Sequence, residues 1–213
     1  MAAPKTKICG ISTADTLEAA IAARADYVGF VFFARSPRNV QLRDAAALGE
    51  RAGSRISRAG LFVDADDTTI AEAVAAAGLD VLQLHGSETP ARVAELKARF
   101  GLEVWKALPV ASAADVQKAD AYDGAADLIL FDAKTPKGSL PGGMGLSFDW
   151  SLLSAYKGAL PWGLAGGLDP ANVAEAIRIT GAPLVDTSSG VESAPGVKDA
   201  ALIAAFCKAV HSA

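Results

Sequence analysis

Hydrophobic and polar positions follow two different periods along this chain. Short runs of consecutive apolar residues, such as 28–32 and 128–131, alternate with alanine-rich stretches in which apolar positions recur at helical spacing. Continuous apolar runs are typical of buried parallel strands, and the helical spacing is typical of amphipathic helices. The pattern predicts strands at 5–9, 27–32, 56–63, 80–84, 103–108, 127–132, 161–165 and 182–187. It predicts helices near 14–25, 43–53, 67–77, 89–99, 112–120, 149–156, 170–180 and 197–210.

Several of the predicted helices have recognisable ends. Thr89-Pro90 and Asp169-Pro170 each place a capping side chain before a proline, which is favoured in the first turn of a helix, and Ser112 offers another cap. Glycines, which commonly end helices, follow three of the predicted helices at Gly53, Gly78 and Gly181. These signals support the predicted order of strands and helices.

Eight strand–helix units predict an α/β fold, a parallel (β/α)8 barrel that forms a single domain over residues 1–213. The 213 residues allow about 27 for each unit, which suits a small barrel of this kind. An open, doubly wound sheet would show the same order of elements. However, no Gly-x-Gly-x-x-Gly motif follows the first strand, and no Pro/Gly-rich linker divides the chain.

Composition narrows the class of protein. The chain is 51% hydrophobic and has a net charge of −4 without a basic block, so we expect no nucleic-acid surface. No apolar run approaches the ~20 residues that cross a bilayer, so we expect no membrane partner. Two cysteines cannot form a disulfide framework and lack zinc-ligand spacing, and the N-terminus lacks an apolar signal segment. We therefore expect a cytoplasmic protein without a metal.

A thiol stands at the end of the first predicted strand. Active sites of (β/α)8 barrels lie at the carboxyl ends of the strands, and Cys9 occupies such an end directly before Gly10. A cysteine there is either a base or a small buried apolar side chain, and its position alone leaves both open. Cys207 differs because it lies on the apolar face of the last predicted helix, where we expect core packing.

A carboxyl group ends the sixth predicted strand. Asp132 follows the apolar residues 129–131, and burial favours the protonated carboxyl that a general acid needs. The alternative is that Asp132 caps a loop or helix. Asp64 and Asp186 also end predicted strands, so the sequence alone leaves them as competitors for the same role.

Small residues follow the seventh and eighth predicted strands. Gly166-Gly167 comes after one, and Ser188-Ser189-Gly190 comes after the other. Barrels commonly bind phosphate between these two loops, through backbone N–H groups and a helix N-terminus. Either motif alone would be unspecific, but together they predict a phosphate site.

Two further loop residues are candidates for the site. Arg38 follows the second strand and could hold a carboxylate through paired hydrogen bonds, or it could be a solvated loop residue. His85 follows the fourth strand and either titrates or shapes the pocket as a hydrogen-bonded neighbour. The long, glycine-containing loop 133–148 predicts a mobile flap after the sixth strand.

Taken together, these motifs resemble the phosphoribosylanthranilate isomerase family. The similarity runs from residue 5 to about 200, with the motifs in the family's order and each at a strand end or in the following loop. The motifs are Lys7-Ile8-Cys9-Gly10-Ile11, Gly29-Phe30-Val31-Phe32, Ser36-Pro37-Arg38, Gln83-Leu84-His85-Gly86, Phe131-Asp132, Gly142-Gly143, Phe148-Asp149-Trp150, Ala165-Gly166-Gly167-Leu168 and Asp186-Thr187-Ser188-Ser189-Gly190-Val191-Glu192.

The resemblance implies an Amadori rearrangement in tryptophan biosynthesis, in which N-(5-phosphoribosyl)anthranilate becomes 1-(2-carboxyphenylamino)-1-deoxyribulose 5-phosphate. It implies that Cys9 is the general base, Asp132 the general acid and Arg38 the holder of the anthranilate carboxylate. The other implied substrate-binding residues are His85, Gly166, Gly167, Asp186, Ser188, Ser189 and Gly190. The expected ligand is this small phosphorylated substrate. No cofactor is needed, and the protein is expected to be a monomer or a homodimer.

One departure and two alternatives remain. The flap reads Gly142-Gly143-Met144-Gly145, where the family usually has a hydroxyl residue between the glycines. The histidine-pathway sugar isomerase uses an aspartate after the first strand, and Cys9 in that place argues against it. A barrel that binds the sugar phosphate without turning it over is the other alternative. The presence of both Cys9 and Asp132 argues against that.

Overall fold

The strands form a closed parallel barrel. The computed structural model describes residues 4–135, 142–143 and 145–213. Each strand pairs with its neighbour in the chain, and the first pairs with the eighth, so the barrel is complete and the open-sheet alternative is excluded. The strands are β1 (Lys5–Cys9), β2 (Tyr27–Phe32), β3 (Ser57–Phe62), β4 (Val81–Leu84), β5 (Glu103–Val110), β6 (Leu128–Ala133), β7 (Trp162–Leu164) and β8 (Leu184–Thr187).

Helices follow the strands and pack around the barrel. The α-helices are α1 (Ala14–Ala22), α2 (Leu42–Ala52), α3 (Asp67–Ala77), α4 (Pro90–Phe100), α5 (Ala113–Gln117), α6 (Val173–Thr180) and α7 (Ala200–His211). The predicted helix at 112–120 is α5 followed by a 3₁₀ helix over Lys118–Tyr122. The predicted helix at 149–156 is a 3₁₀ helix over Trp150–Ala155. No helix among the described residues is long and apolar enough to cross a membrane.

Local capping explains where the helices begin and end. The Thr89 side chain accepts a hydrogen bond from the Arg92 N–H at the start of α4, as the sequence predicts. Gly78 and Gly181 end α3 and α6 in the left-handed conformation, which glycine adopts without strain. Ser112 is the N-cap residue of α5, as predicted, but its side chain makes no capping hydrogen bond, and its hydroxyl instead donates to Asp115 Oδ2 at 3.0 Å.

The two boundaries near the C-terminus differ from the prediction. Asp169 accepts hydrogen bonds from the N–H groups of Ala171 and Asn172, the two residues before α6, so a turn precedes the helix, which begins only at Val173. The chain at 192–198 forms a hairpin of two short antiparallel strands, β9 (Glu192–Ala194) and β10 (Val197–Lys198). Helix α7 then begins after Asp199, whose carboxylate accepts two backbone hydrogen bonds there. The capping carboxylate therefore places the helix start three residues later than predicted.

Apolar side chains fill the barrel below its carboxyl-end opening. The indole of Trp105 is fully buried inside the barrel and meets the Tyr27 ring edge-on at 4.9 Å between centroids. A larger core lies between the barrel and the helices, and Cys207 packs within it as expected. A small separate cluster of Cys9, Val31 and Leu61 lies nearer the strand ends. The barrel interior below this cluster is therefore packed, and the cluster itself forms the floor of the pocket at the strand ends.

Candidate active site

A pocket opens at the carboxyl ends of the strands. The candidate residues from the sequence line this pocket, with two exceptions, Asp64 and Gly190. A Cβ added at Gly190 would lie 2.0 Å from the Leu168 carbonyl oxygen, so the backbone at Gly190 packs tightly against its neighbour instead.

The thiol of Cys9 has room because its neighbour on the next strand is a glycine. Cys9 ends β1 and lies opposite Gly29 of β2 in the strand register. A Cβ at Gly29 would lie 2.9 Å from Cys9 Sγ and 3.2 Å from Lys7 Nζ, both closer than ordinary van der Waals contact. Gly29 thus makes space for the thiol and for a buried ammonium group beside it.

That ammonium belongs to Lys7, which the sequence analysis did not assign to the site. Lys7 and Asp186 face each other across the seam where β1 meets β8, and Lys7 Nζ donates a hydrogen bond to Asp186 Oδ1 at 3.0 Å. Lys7 is fully buried and Asp186 is 7% exposed. The available signal was a lysine two residues before Cys9, which places both side chains on one face of a buried strand.

Burial and charge act in opposite directions on the thiol. Burial raises the pKa of Cys9, and Asp186 raises it further, while the ammonium groups of Lys7 and Lys198 lower it. Burial also opposes the charge on Lys7, but Asp186 and Cys9 outweigh this effect and hold the pKa of Lys7 above its usual value. Lys7 is therefore a fixed cation beside Cys9. The thiolate is a minority form at neutral pH but a strong base once formed.

The carboxyl group of Asp132 is held from two sides. Asp132 Oδ1 accepts a hydrogen bond from the Ala133 N–H at 2.8 Å, and Asp132 Oδ2 lies 3.0 Å from His85 Nε2. The other ring nitrogen of His85 lies 3.4 Å from the amide nitrogen of Gln83. Both nitrogens of His85 therefore have protein partners, and the ring is placed to orient the Asp132 carboxyl group.

A buried ion pair fixes the backbone on both sides of His85. Lys106 Nζ donates to the carbonyl oxygens of Leu84 and Gly86 at 3.2 and 2.8 Å, and it pairs with Glu88 at 3.0 Å. Glu88 in turn accepts from the Gly86 N–H at 2.9 Å. Lys106, in the middle of β5, therefore supports the loop that presents His85.

Asp64 also supports this loop and does not compete with Asp132. Its Oδ1 accepts hydrogen bonds from the backbone and the hydroxyl of Ser87 at 2.7 and 2.9 Å. Asp64 is absent from the pocket lining. Of the three strand-end aspartates, Asp132 and Asp186 face the pocket, and only Asp186 is paired with a lysine.

The guanidinium of Arg38 is already held along one edge. Its Nε and Nη2 donate to the two oxygens of Glu192, each at 2.7 Å, and Nη2 also donates to the Gly143 carbonyl oxygen at 3.0 Å. Among the described residues, Nη1 has no hydrogen-bond acceptor. Arg38 lines the pocket and is 8% exposed, so it offers Nη1 to a ligand from a fixed position.

Backbone groups line the pocket at the ends of β7 and β8. Gly166 and Gly167 both adopt positive φ angles, and a Cβ at Gly166 would lie 2.5 Å from the Ala133 nitrogen. Only glycine fits this close approach between the loop and the end of β6. Ser188 and Ser189 line the neighbouring edge of the pocket.

The predicted flap lies partly outside the described residues. Residues 136–141 and Met144 are among those that the structure does not describe. The described glycines contact the site closely, since a Cβ at Gly142 would lie 2.9 Å from Asp132 Oδ2 and one at Gly143 would lie 2.6 Å from Arg38 Nη1. These glycines therefore let the loop backbone approach both side chains.

The chemistry of the pocket is that of an acid/base site. It brings together a thiol beside a fixed cation, a carboxyl held by a histidine, a guanidinium nitrogen that has no acceptor among the described residues, and a rim of backbone groups. In the part of the chain that the structure describes, no cluster of three or more His, Cys, Asp or Glu side chains could hold a metal ion.

The chain is similar in sequence and in structure to proteins of one enzyme family. The sequence model of one family, described as N-(5'phosphoribosyl)anthranilate (PRA) isomerase, matches residues 6–209. The N-(5'-phosphoribosyl)anthranilate isomerase of Paramagnetospirillum magneticum is 56% identical over 208 residues, which cover 97% of each chain. The solved phosphoribosyl anthranilate isomerase of Thermotoga maritima superimposes with a TM-score of 0.87 at 33% identity, over 99% of this chain and 100% of that one. A solved isomerase in complex with reduced 1-(o-carboxyphenylamino)-1-deoxyribulose 5-phosphate gives 0.84 at 31% identity, with the same coverage.

Proposed function

The chain belongs to the N-(5'-phosphoribosyl)anthranilate isomerase family, and on that premise we propose that Cys9 is its general base and Asp132 its general acid. The reaction is the Amadori rearrangement of N-(5-phosphoribosyl)anthranilate to 1-(2-carboxyphenylamino)-1-deoxyribulose 5-phosphate, a step of tryptophan biosynthesis. The observation that supports the assignment best is that a thiol and a carboxyl at the ends of β1 and β6 line one pocket. Each has a partner suited to its role.

Ring opening requires the acid. Asp132 in its protonated form donates a proton to the furanose ring oxygen as the C1′–O bond breaks, and the nitrogen lone pair forms a C1′=N bond. His85 and the Ala133 N–H hold the two carboxyl oxygens, so the proton is presented from a defined direction. The product of this step is a positively charged Schiff base.

Proton removal from C2′ requires the base. The Schiff base makes the C2′ hydrogen acidic because the electron pair can move to nitrogen as a C1′=C2′ bond forms. The thiolate of Cys9 accepts that proton, and Lys7 stabilises the thiolate charge beforehand. The resulting enolamine becomes the ketone by tautomerisation.

The proton balance defines how the site is reset. Substrate and product are isomers, so Cys9 accepts one proton for each proton that Asp132 donates. After each turnover the thiol is protonated and the carboxyl is charged. One proton must leave Cys9 and one must return to Asp132, through solvent, before the next cycle. His85, which lies against Asp132 and the pocket, is placed on the return path.

The two ends of the substrate carry negative charge, and we assign a binding group to each. Arg38 Nη1 faces the pocket without an acceptor among the described residues and suits the anthranilate carboxylate. The backbone near Gly166, Gly167, Ser188 and Ser189 suits the phosphate, because small residues allow close approach of N–H groups. Asp186 is placed at the wall of the pocket by its pairing with Lys7.

Turnover of freshly prepared N-(5-phosphoribosyl)anthranilate tests the two catalytic roles. The loss of substrate fluorescence is followed for the wild type, Cys9→Ala and Asp132→Asn. Each variant should lower kcat by at least ~100-fold, the usual scale for losing a general acid or base. Near-normal turnover by either variant would refute that role while leaving the other intact. No turnover by the wild type, despite binding of a product analogue, would refute catalysis itself.

We also propose the setting in which the enzyme works. Both cysteines are free, and a base that depends on a reduced thiol suits the cytoplasm. We propose that residues 1–213 form one domain, active as a monomer or a homodimer on this small phosphorylated substrate, without a cofactor or metal.

A further inference from the structure

We propose that the β9–β10 hairpin determines specificity for a carboxylated substrate, with Glu192 and Lys198 as positioning residues for Arg38. The proposal rests on the proposed role of Arg38 in holding the anthranilate carboxylate. It adds the reason why the guanidinium lies where that carboxylate must bind. Three observations support it. Glu192 holds the guanidinium through two hydrogen bonds, an arrangement called the clamp below, and Lys198 binds Glu192. The hairpin backbone also packs against the turn before Arg38.

The clamp leaves the guanidinium little freedom. Glu192 accepts hydrogen bonds from Nε and Nη2 of Arg38 at 2.7 Å each, so the two groups form a bidentate pair. The side chains of Arg38 and Glu192 are 9% and 3% exposed. Because Nε and Nη2 are occupied, the ligand-facing donor is Nη1, and Glu192 sets its direction.

Lys198 holds the clamp from behind. Its Nζ donates to Glu192 Oε1 at 2.6 Å, and to the carbonyl and hydroxyl oxygens of Ser188 at 2.9 and 3.2 Å. The Lys198 side chain is 1% exposed, so all three ammonium hydrogens are directed to protein acceptors. Lys198 therefore fixes Glu192 and also ties the hairpin to the loop after β8.

The hairpin backbone reaches the turn that carries Arg38. Gly196 adopts a φ of +82°, and a Cβ there would lie 2.5 Å from the Pro37 carbonyl oxygen. The Gly196 N–H donates to Glu192 Oε2 at 3.2 Å. The hairpin tip therefore packs against the residue before Arg38 and orients Glu192 at the same time.

The cluster has the charge that a substrate carboxylate requires. Two cations, Arg38 and Lys198, surround one carboxylate, Glu192, in a buried setting. The excess positive charge is directed into the pocket through Nη1 of Arg38. A neutral ligand would leave this charge desolvated and without a counter-charge. The cluster therefore favours ligands that carry a carboxylate and disfavours ligands that lack one.

Binding of two ligands to two proteins tests the proposal. The ligands are reduced 1-(2-carboxyphenylamino)-1-deoxyribulose 5-phosphate and its counterpart that lacks the carboxylate. The proteins are the wild type and Glu192→Gln, which keeps the size of the side chain but removes its charge. The wild type should bind the carboxylated ligand about 10- to 100-fold more tightly, the scale of a charge-assisted hydrogen bond. In Glu192→Gln this preference should fall below about 5-fold, with KM raised and kcat changed less than about 5-fold.

The possible outcomes distinguish the positioning role of Glu192 from the binding role proposed for Arg38. A wild type that binds both ligands equally would refute the assignment of Arg38 to the carboxylate. A wild-type preference that Glu192→Gln retains, or an equal loss of affinity for both ligands, would overturn the positioning role of Glu192. Tighter binding of the carboxylated ligand by Glu192→Gln would show that Glu192 merely competes for Arg38, and it would also overturn the proposal.

Two further variants guard against a loss of folding. Glu192→Gln/Lys198→Met removes one charge of each sign, so no second buried cation is left unpaired, and it should show the same reduced preference. If the double variant recovers the wild-type preference, the proposal fails. Val197→Thr is the matched control on the same hairpin, because Val197 is 54% exposed. It should bind both ligands as the wild type does.

Discussion

Replacing Gly29 with alanine should displace the catalytic thiol without altering any reacting group. The added Cβ would lie 2.9 Å from Cys9 Sγ and 3.2 Å from Lys7 Nζ, whereas ordinary contacts begin at 3.4 Å. The new methyl group would also lie 3.1 Å from the Cys9 Cα, so it cannot relieve the contact by moving toward the backbone of β1. The thiol must therefore move by about 0.5–1 Å. A misplacement of about 1 Å at a reacting group costs up to about 100-fold, so we expect kcat to fall about 10- to 100-fold.

Gly163→Ala is the matched control for this substitution. Gly163 lies on β7, and a Cβ there would meet the Leu184 and Leu130 side chains at 2.4 and 3.1 Å, within the apolar part of the barrel. Both variants should lose about 1–3 kcal/mol of unfolding free energy in urea, the usual cost of overpacking. Only Gly29→Ala should lose turnover in the fluorescence assay.

The comparison can refute the reasoning in one experiment. If Gly29→Ala keeps kcat within about twofold of Gly163→Ala while both lose similar stability, the position of the thiol does not limit catalysis. A loss of turnover that is equal in the two variants would show that overpacking in the barrel, and not the thiol, is responsible.

Two further predictions concern the buried titratable groups. Lys7→Met should leave Asp186 as an unpaired buried carboxylate and cost about 3–5 kcal/mol in urea unfolding, whereas Lys7→Met/Asp186→Leu should recover most of that loss. Because Lys7 lowers the pKa of Cys9, Lys7→Met should also shift the acid limb of the pH profile of kcat/KM to higher pH. An unchanged acid limb would contradict the role of Lys7. Burial raises the pKa of Cys207 from 9.0 to about 11, so the unfolded chain loses this proton first and stability falls as pH rises from 9 to 11. At about 1.4 kcal/mol per pH unit the loss is about 2–3 kcal/mol, and Cys207→Ala should remove it; an identical alkaline slope in that variant would contradict the assignment.

Local sequence patterns were sufficient to predict the elements and the strand-end residues. The first predicted strand has the observed bounds of β1, and the sixth differs from β6 by one residue at each end, so Cys9 and Asp132 were placed correctly at strand ends. Apolar runs and glycine helix ends depend on neighbouring residues, which is why they can be read along one chain.

Partners that lie far apart in the chain could not be predicted in this way. Lys7 and Asp186 are 179 residues apart and meet only because β8 closes onto β1 in a particular register. Arg38 and Glu192, 154 residues apart, meet because Glu192 belongs to a hairpin that the sequence pattern did not predict, and the second strand of this hairpin occupies the predicted start of the last helix. The acid and base could therefore be identified from sequence, whereas the groups that position and charge them required the closed barrel.

The most direct test of the account is the reactivity of Cys9 measured against pH alongside kcat/KM. Iodoacetamide alkylation is followed by mass spectrometry, with the buried Cys207 as the internal reference in the same chain. We predict that Cys9 is alkylated first, that turnover is lost in step, and that the midpoint of reactivity coincides with the acid limb of kcat/KM. Full turnover by enzyme alkylated at Cys9, or midpoints more than about one pH unit apart, would contradict the thiolate as the catalytic base.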